Sequence, residues 1–153
     1  MFELSNVENK LDFKCQIIGY QFPDSKRDDW CLLKLKVKQG EHYFEQTDPA
    51  IETTELERLY DWFKCLSERR LPRFARLSFT EPCISFEFLA CTDDSIRISI
   101  NLSHELKPEF ELNQFGFCNN DWKIVFNLDE ENISKILENI RQTLELFPVR
   151  GKS

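Results

Sequence analysis

The side chains able to do chemistry are few and scattered. His42 and His104 each lie in a polar stretch with no second His or Cys at ligand spacing, so both read as surface imidazoles. The cysteines, Cys15, Cys31, Cys65, Cys83, Cys91 and Cys118, come no closer together than Cys83 and Cys91, whereas zinc ribbons and fingers place their ligands about two to four residues apart. Reduced thiols packed as small hydrophobes are expected, with no metal and no cofactor. Among the acids, Glu81 and Glu105 each stand near a proline at a strand end and would form the acid and base of a hydrolase if the fold joined them. The plainer alternative is that each accepts backbone N–H bonds beside a turn or pairs with an arginine such as Arg150. No GxSxG, HExxH or glycine-rich phosphate loop occurs, so a non-enzyme is expected. Asp28-Asp29-Trp30 is the remaining conspicuous group: an aromatic flanked by charge at a strand entry is either an interface anchor or a core Trp after a polar loop.

The chain that must position these groups has 153 residues, 41% of them apolar and 14 of them Phe, which suits one domain over 1–153 with an ordinary core. Twenty Lys and Arg against 27 Asp and Glu leave a net charge of −7, which disfavours nucleic acid as a partner. The opening MFELSNVENKLDFKC lacks a basic stretch followed by an apolar one, and no run approaches about 18 apolar residues. A cytoplasmic protein without membrane contact is expected.

Periodicity supplies the elements. Leu11, Phe13, Cys15 and Ile17 alternate with polar residues, as do Leu33, Leu35 and Val37 with Lys34, Lys36 and Lys38, the signature of half-buried strands. Gln39-Gly40 turns the second into a hairpin over 31–46. Leu56, Leu59, Tyr60, Phe63 and Leu66 predict a helix over 54–68, with Thr54 and Glu57 as a capping box. Strands are expected at 74–79, 84–90, 96–102 and 122–128, the middle two joined by the turn Thr92-Asp93-Asp94-Ser95, with a loop over 103–120. A last helix over 130–146, capped by Asp129, carries the stripe Ile133, Ile136, Leu137, Ile140, Leu144 and Phe147. Hairpin-length connections predict an α+β fold: a mostly antiparallel sheet with both amphipathic helices on one face, or a strongly curled sheet approaching a half-barrel.

Six segments in order carry a resemblance. IIGYQFP (17–23), DDWCLLKLKV (28–37), DPAIETTELERLYDWF (48–63), FTEPCISF (79–86), NLSHELKP (101–108) and LFPVR (146–150) together resemble the WapI-type immunity proteins, small bacterial proteins that protect a cell against a cognate polymorphic toxin. The chain departs from that pattern at Cys31, where Leu is expected after the Trp, and over 109–121. The resemblance implies a non-catalytic binding protein that neutralises a basic protein toxin, as a monomer or weak homodimer, with Asp28, Asp29 and Trp30 as partner-binding nominees. Two alternatives stay open: an adapter or self-associating module, suggested by the many Phe and an uncovered sheet edge, and a hydrolase using Glu81 and Glu105.

Overall fold

In the computed structural model, which describes residues 1–151, the chain opens as an antiparallel meander. Strands β1 (Phe2–Asn6), β2 (Leu11–Tyr20), β3 (Trp30–Gln39) and β4 (His42–Glu52) pair in sequence order, the last two through a two-residue turn with Gly40 at φ 60°. Helix α1 (Thr53–Ser67) follows directly. Then come β5 (Arg76–Leu77), β6 (Ile84–Cys91), β7 (Ile96–Leu102), a 3-10 turn at His104–Leu106, β8 (Leu112–Gln114), β9 (Phe117–Asn119), β10 (Trp122–Leu128) and α2 (Glu130–Leu146). A second antiparallel sheet has the order β10-β7-β6-β5, and β8 and β9 form a separate two-stranded hairpin.

The α+β expectation holds, with a difference in layering. Eight strands divide into two four-stranded sheets instead of one, and neither sheet closes into a barrel. The alternating pattern explains why: each strand has one apolar face only, and two such faces cover each other better than helices could cover eight strands. Leu11, Phe13 and Cys15 of β2 and Leu33, Leu35 and Val37 of β3 are buried, while Lys34 and Lys36 reach out to Glu45 at 3.4 and 3.5 Å.

Aromatic rings join the layers. Phe63 of α1 stands edge-on 6.0 Å from Phe2 of the first sheet and 5.9 Å from Phe86 of the second, and Phe2 and Phe86 lie 6.2 Å apart. Phe13 meets Phe126 across the same seam at 6.2 Å. Trp62 packs edge-on against Phe63 at 5.1 Å while its indole N–H donates to the Phe74 carbonyl at 3.0 Å, so burial leaves no orphan donor. The two helices pack against each other, and the buried apolar residues form one continuous cluster.

Both helix starts are capped, one of them unexpectedly. Asp129 accepts the Asn132 N–H at 2.8 Å and Asn132 returns the contact to the Asp129 N–H at 2.9 Å, as the sequence predicted for α2. In α1 the box belongs to Glu52 and Glu55, not to Thr54 and Glu57. Glu55 is 4% exposed; one carboxylate oxygen accepts the Glu52 N–H at 3.0 Å and the other the Thr80 N–H at 2.7 Å. Two backbone donors offset the burial of this charge and tie the helix start to the strand-entry segment before β6. Among the described residues no helix is long and apolar enough to cross a membrane.

Phe86 is 1% exposed and touches the rings of Phe2, Trp62, Phe63 and Phe79. Phe86→Ala is expected to lower unfolding stability by about 3–5 kcal/mol, read from urea melting.

Candidate functional site

The segments that carry chemistry converge on two places. The first gathers the bulge of β4, the start of β6 and the 3-10 turn. The register of β3 and β4 slips between Leu33↔Asp48 and Cys31↔Ile51, where Pro49 cannot contribute an N–H to the ladder. Asp48 thereby faces Cys83, whose thiol lies 3.9 Å from its Oδ2. The same thiol donates to Glu105 Oε2 at 3.2 Å. Glu105 is placed there by His104, at φ 51°, and by Ser103, whose N–H donates to the Cys83 carbonyl at 2.9 Å and whose hydroxyl donates to the Pro82 carbonyl. The sulfur and one oxygen of each carboxylate lie within 4.8 Å of one another, the one such convergence of potential metal donors among the described residues.

Electrostatics close this cluster on itself. Burial, reinforced by the hydrogen bond to Glu105, pushes the Cys83 thiol up to about 12, so the sulfur keeps its proton at neutral pH and is no nucleophile. Glu105 is held below its ordinary value by its own backbone N–H and by Cys83. Asp48 is raised, first by burial and then by the charges of Glu105 and Glu81. Glu81 is exposed and joins the group only through that repulsion on Asp48. The two acids singled out by sequence thus both act on Asp48, but the hydrogen-bond partner of Glu105 is Cys83, 22 positions away, which local spacing could not connect to it. Two grooves, of about 730 and 550 Å³, lie elsewhere and include none of these side chains.

The second place gathers residues 20–30 and the C-terminal arm. The Arg150 guanidinium lies 3.6 Å from the centre of the Tyr20 ring and donates to the carbonyls of Phe22 at 3.0 Å, Pro23 at 3.2 Å and Asp28 at 3.0 Å. The Arg150 backbone N–H donates to Asp29 Oδ1 at 2.6 Å, and the Tyr20 hydroxyl donates to the Pro148 carbonyl. Asp28 Oδ1 accepts the Trp30 N–H at 2.9 Å, and the Asp29 carbonyl accepts the Thr53 N–H at 3.1 Å. Arg150 therefore serves Asp29 rather than Glu81 or Glu105. Of the three partner-binding nominees, Asp29 has a side chain only 10% exposed and is committed within the chain; Asp28 and Trp30 are half-buried. His42 stacks on Phe110 at 4.9 Å, and His104 is exposed and lies outside the donor group of Asp48, Cys83 and Glu105.

All six segments of the resemblance meet at these two clusters. GYQFP, DDW and FPVR build the clasp around Arg150; DPAIE, FTEPCISF and NLSHELKP build the cluster around Cys83.

A raised carboxyl favours the folded state only while protonated, so ionising Asp48 costs stability as the pH climbs through its folded value. Asp48→Asn is accordingly expected to be more stable than wild type at pH 7, with the difference closing below about pH 4; urea melting at the two pH values checks it. At the clasp, Arg150→Lys keeps the charge but loses the planar fork that reaches three carbonyls. It is expected to cost about 2 kcal/mol, much as Arg150→Met does, in the same melting experiment.

No curated protein and no solved structure matches this chain. Residues 3–148 match the immunity protein WapI-like family, a stretch that holds the Cys83 cluster whole and every part of the clasp but Arg150. The chain therefore belongs to the immunity protein WapI-like family.

Proposed function

We propose that this protein neutralises a cognate protein toxin by direct binding and catalyses no reaction of its own. The family match over residues 3–148 carries this reading. The chemistry supports it: the cluster of Cys83, Glu105 and Asp48 holds a protonated thiol and lies outside both grooves, whereas a hydrolytic site needs an activated group facing a cavity. A blocker needs complementary surface instead. The net charge of −7 suits a basic partner such as a nuclease, and the chain acts as a single cytoplasmic domain. Asp28, Asp29 and Trp30 contribute here by fixing the strand entry, with the Trp30 indole as the part a partner could touch.

The test uses a catalytically disabled toxin domain encoded beside this chain's own gene, titrated against the purified protein. Nanomolar binding together with relief of toxicity on co-expression is expected. Raising the ionic strength is expected to slow association at least about tenfold while dissociation changes little, measured by stopped flow. Absence of binding to every such domain, with the protein folded, would overturn the reading.

A further inference from the structure

Strands β8 and β9 present the most exposed aromatic pair of the molecule. Phe115 is 64% and Phe117 72% exposed, side by side at the tip of a hairpin that pairs with neither large sheet. Gln114 faces Phe117 in register, so Phe115 and Gly116 form a two-residue turn, with φ of 57° and 80°. Such turns favour Asn-Gly, and a bulky aromatic at positive φ is strained. Folding alone gives no reason to hold a Phe there or to expose its neighbour.

The root of the hairpin is as firmly held as the tip is bare. Leu112 is 1% exposed. The Gln39 amide donates to the Asn113 carbonyl at 2.6 Å and accepts the Asn113 N–H at 2.9 Å. The Gln114 amide treats β10 likewise, donating to the Lys123 carbonyl and accepting the Val125 N–H, both at 2.9 Å. Two side-chain amides thus stand in for missing strand partners, and an isolated two-stranded hairpin, marginal in water, becomes a fixed arm. Around it the sequence is acidic: Glu105, Glu109, Glu111 and Asp121 stand against Lys107. A firmly rooted aromatic knob within an acidic stretch of chain has the composition of an interface hot spot.

The hairpin also stands apart from the two clusters that hold the fold, none of whose hydrogen bonds reaches residues 109–121. We infer that the β8–β9 hairpin is the docking element, its two phenyl rings entering an apolar pocket with a basic rim on the toxin. This inference rests on the toxin-binding reading above.

The test measures the affinity of the disabled adjacent-encoded toxin domain for wild type, Phe115→Asn, Phe117→Ser and, as a control at an exposed apolar residue away from the hairpin sequence, Leu71→Ser. Asn tolerates the left-handed backbone, so Phe115→Asn is expected to melt at or above the wild-type urea midpoint, which separates lost contact from lost fold. Each Phe variant is expected to bind about 30-fold or more weakly and Leu71→Ser within about threefold of wild type. Amide exchange over residues 112–119 is expected to slow in the complex. Tight wild-type binding that both Phe variants retain overturns the inference and leaves the toxin-binding reading standing. No binding by wild type overturns both. If the Phe variants abolish a concentration-dependent dimer in sedimentation and leave toxin affinity unchanged, the rings face a second copy and the inference fails.

Discussion

The contact on which the rest depends is the triangle of rings that Phe63 makes with Phe2 and Phe86. It is the point where the first sheet, the second sheet and α1 share one set of rings. Each sheet alone would leave an apolar face in water; burying Phe2, Phe13, Phe86 and Phe126 against one another removes both faces at once. The price is a narrow choice of side chains, because edge-on rings about 6 Å apart leave little room for any other shape. The seam also fixes where the sheet ends project, and with them the β4 bulge and the hairpin.

Irregular junctions are then secured by side chains acting as backbone. Glu55 accepts the N–H groups of Glu52 and Thr80, Gln39 and Gln114 imitate strand partners, and Asp29 accepts the N–H of Arg150. In each case a group that would be costly to bury finds donors or acceptors held in place by a neighbouring element. Rigidity at these joints lets two surfaces of different character coexist: clusters whose polar groups satisfy one another and an arm that bares two phenyl rings.

The regular elements were legible because their periods were clean. α2, its Asp129 cap, β7 and β10 stand where alternation and the helical stripe predict them. Four things were not. β1, Phe2–Asn6, was not anticipated, since only Phe2 and Leu4 alternate in it. β4 runs on to Glu52 through Pro49, which reads as a strand breaker unless the bulge is known. The hairpin of β8 and β9 lies within a stretch read as loop, since Phe-Gly carries no turn signal of the Asn-Gly kind and its strands are three residues each. The segment at 74–79 yields only Arg76–Leu77 as strand. At the cluster, Glu105 was visible from its place before Pro108, but Cys83 meets it across 22 positions and Asp48 meets Cys83 across 35, which no local pattern encodes. Arg150 was legible as a cation and not as the guest of Asp29, 121 positions earlier.

That last separation bears on how the molecule is born. A chain leaves the ribosome amino end first, so the meander is outside long before Arg150 is made, and at roughly 5–20 residues per second the interval is on the order of 6–24 s. Throughout it the Tyr20 ring lacks its guanidinium, and the carbonyls of Phe22, Pro23 and Asp28 lack theirs. The open end of the first sheet is thus a nascent-chain surface, available to chaperones or to other nascent copies and withdrawn only when synthesis has run past α2.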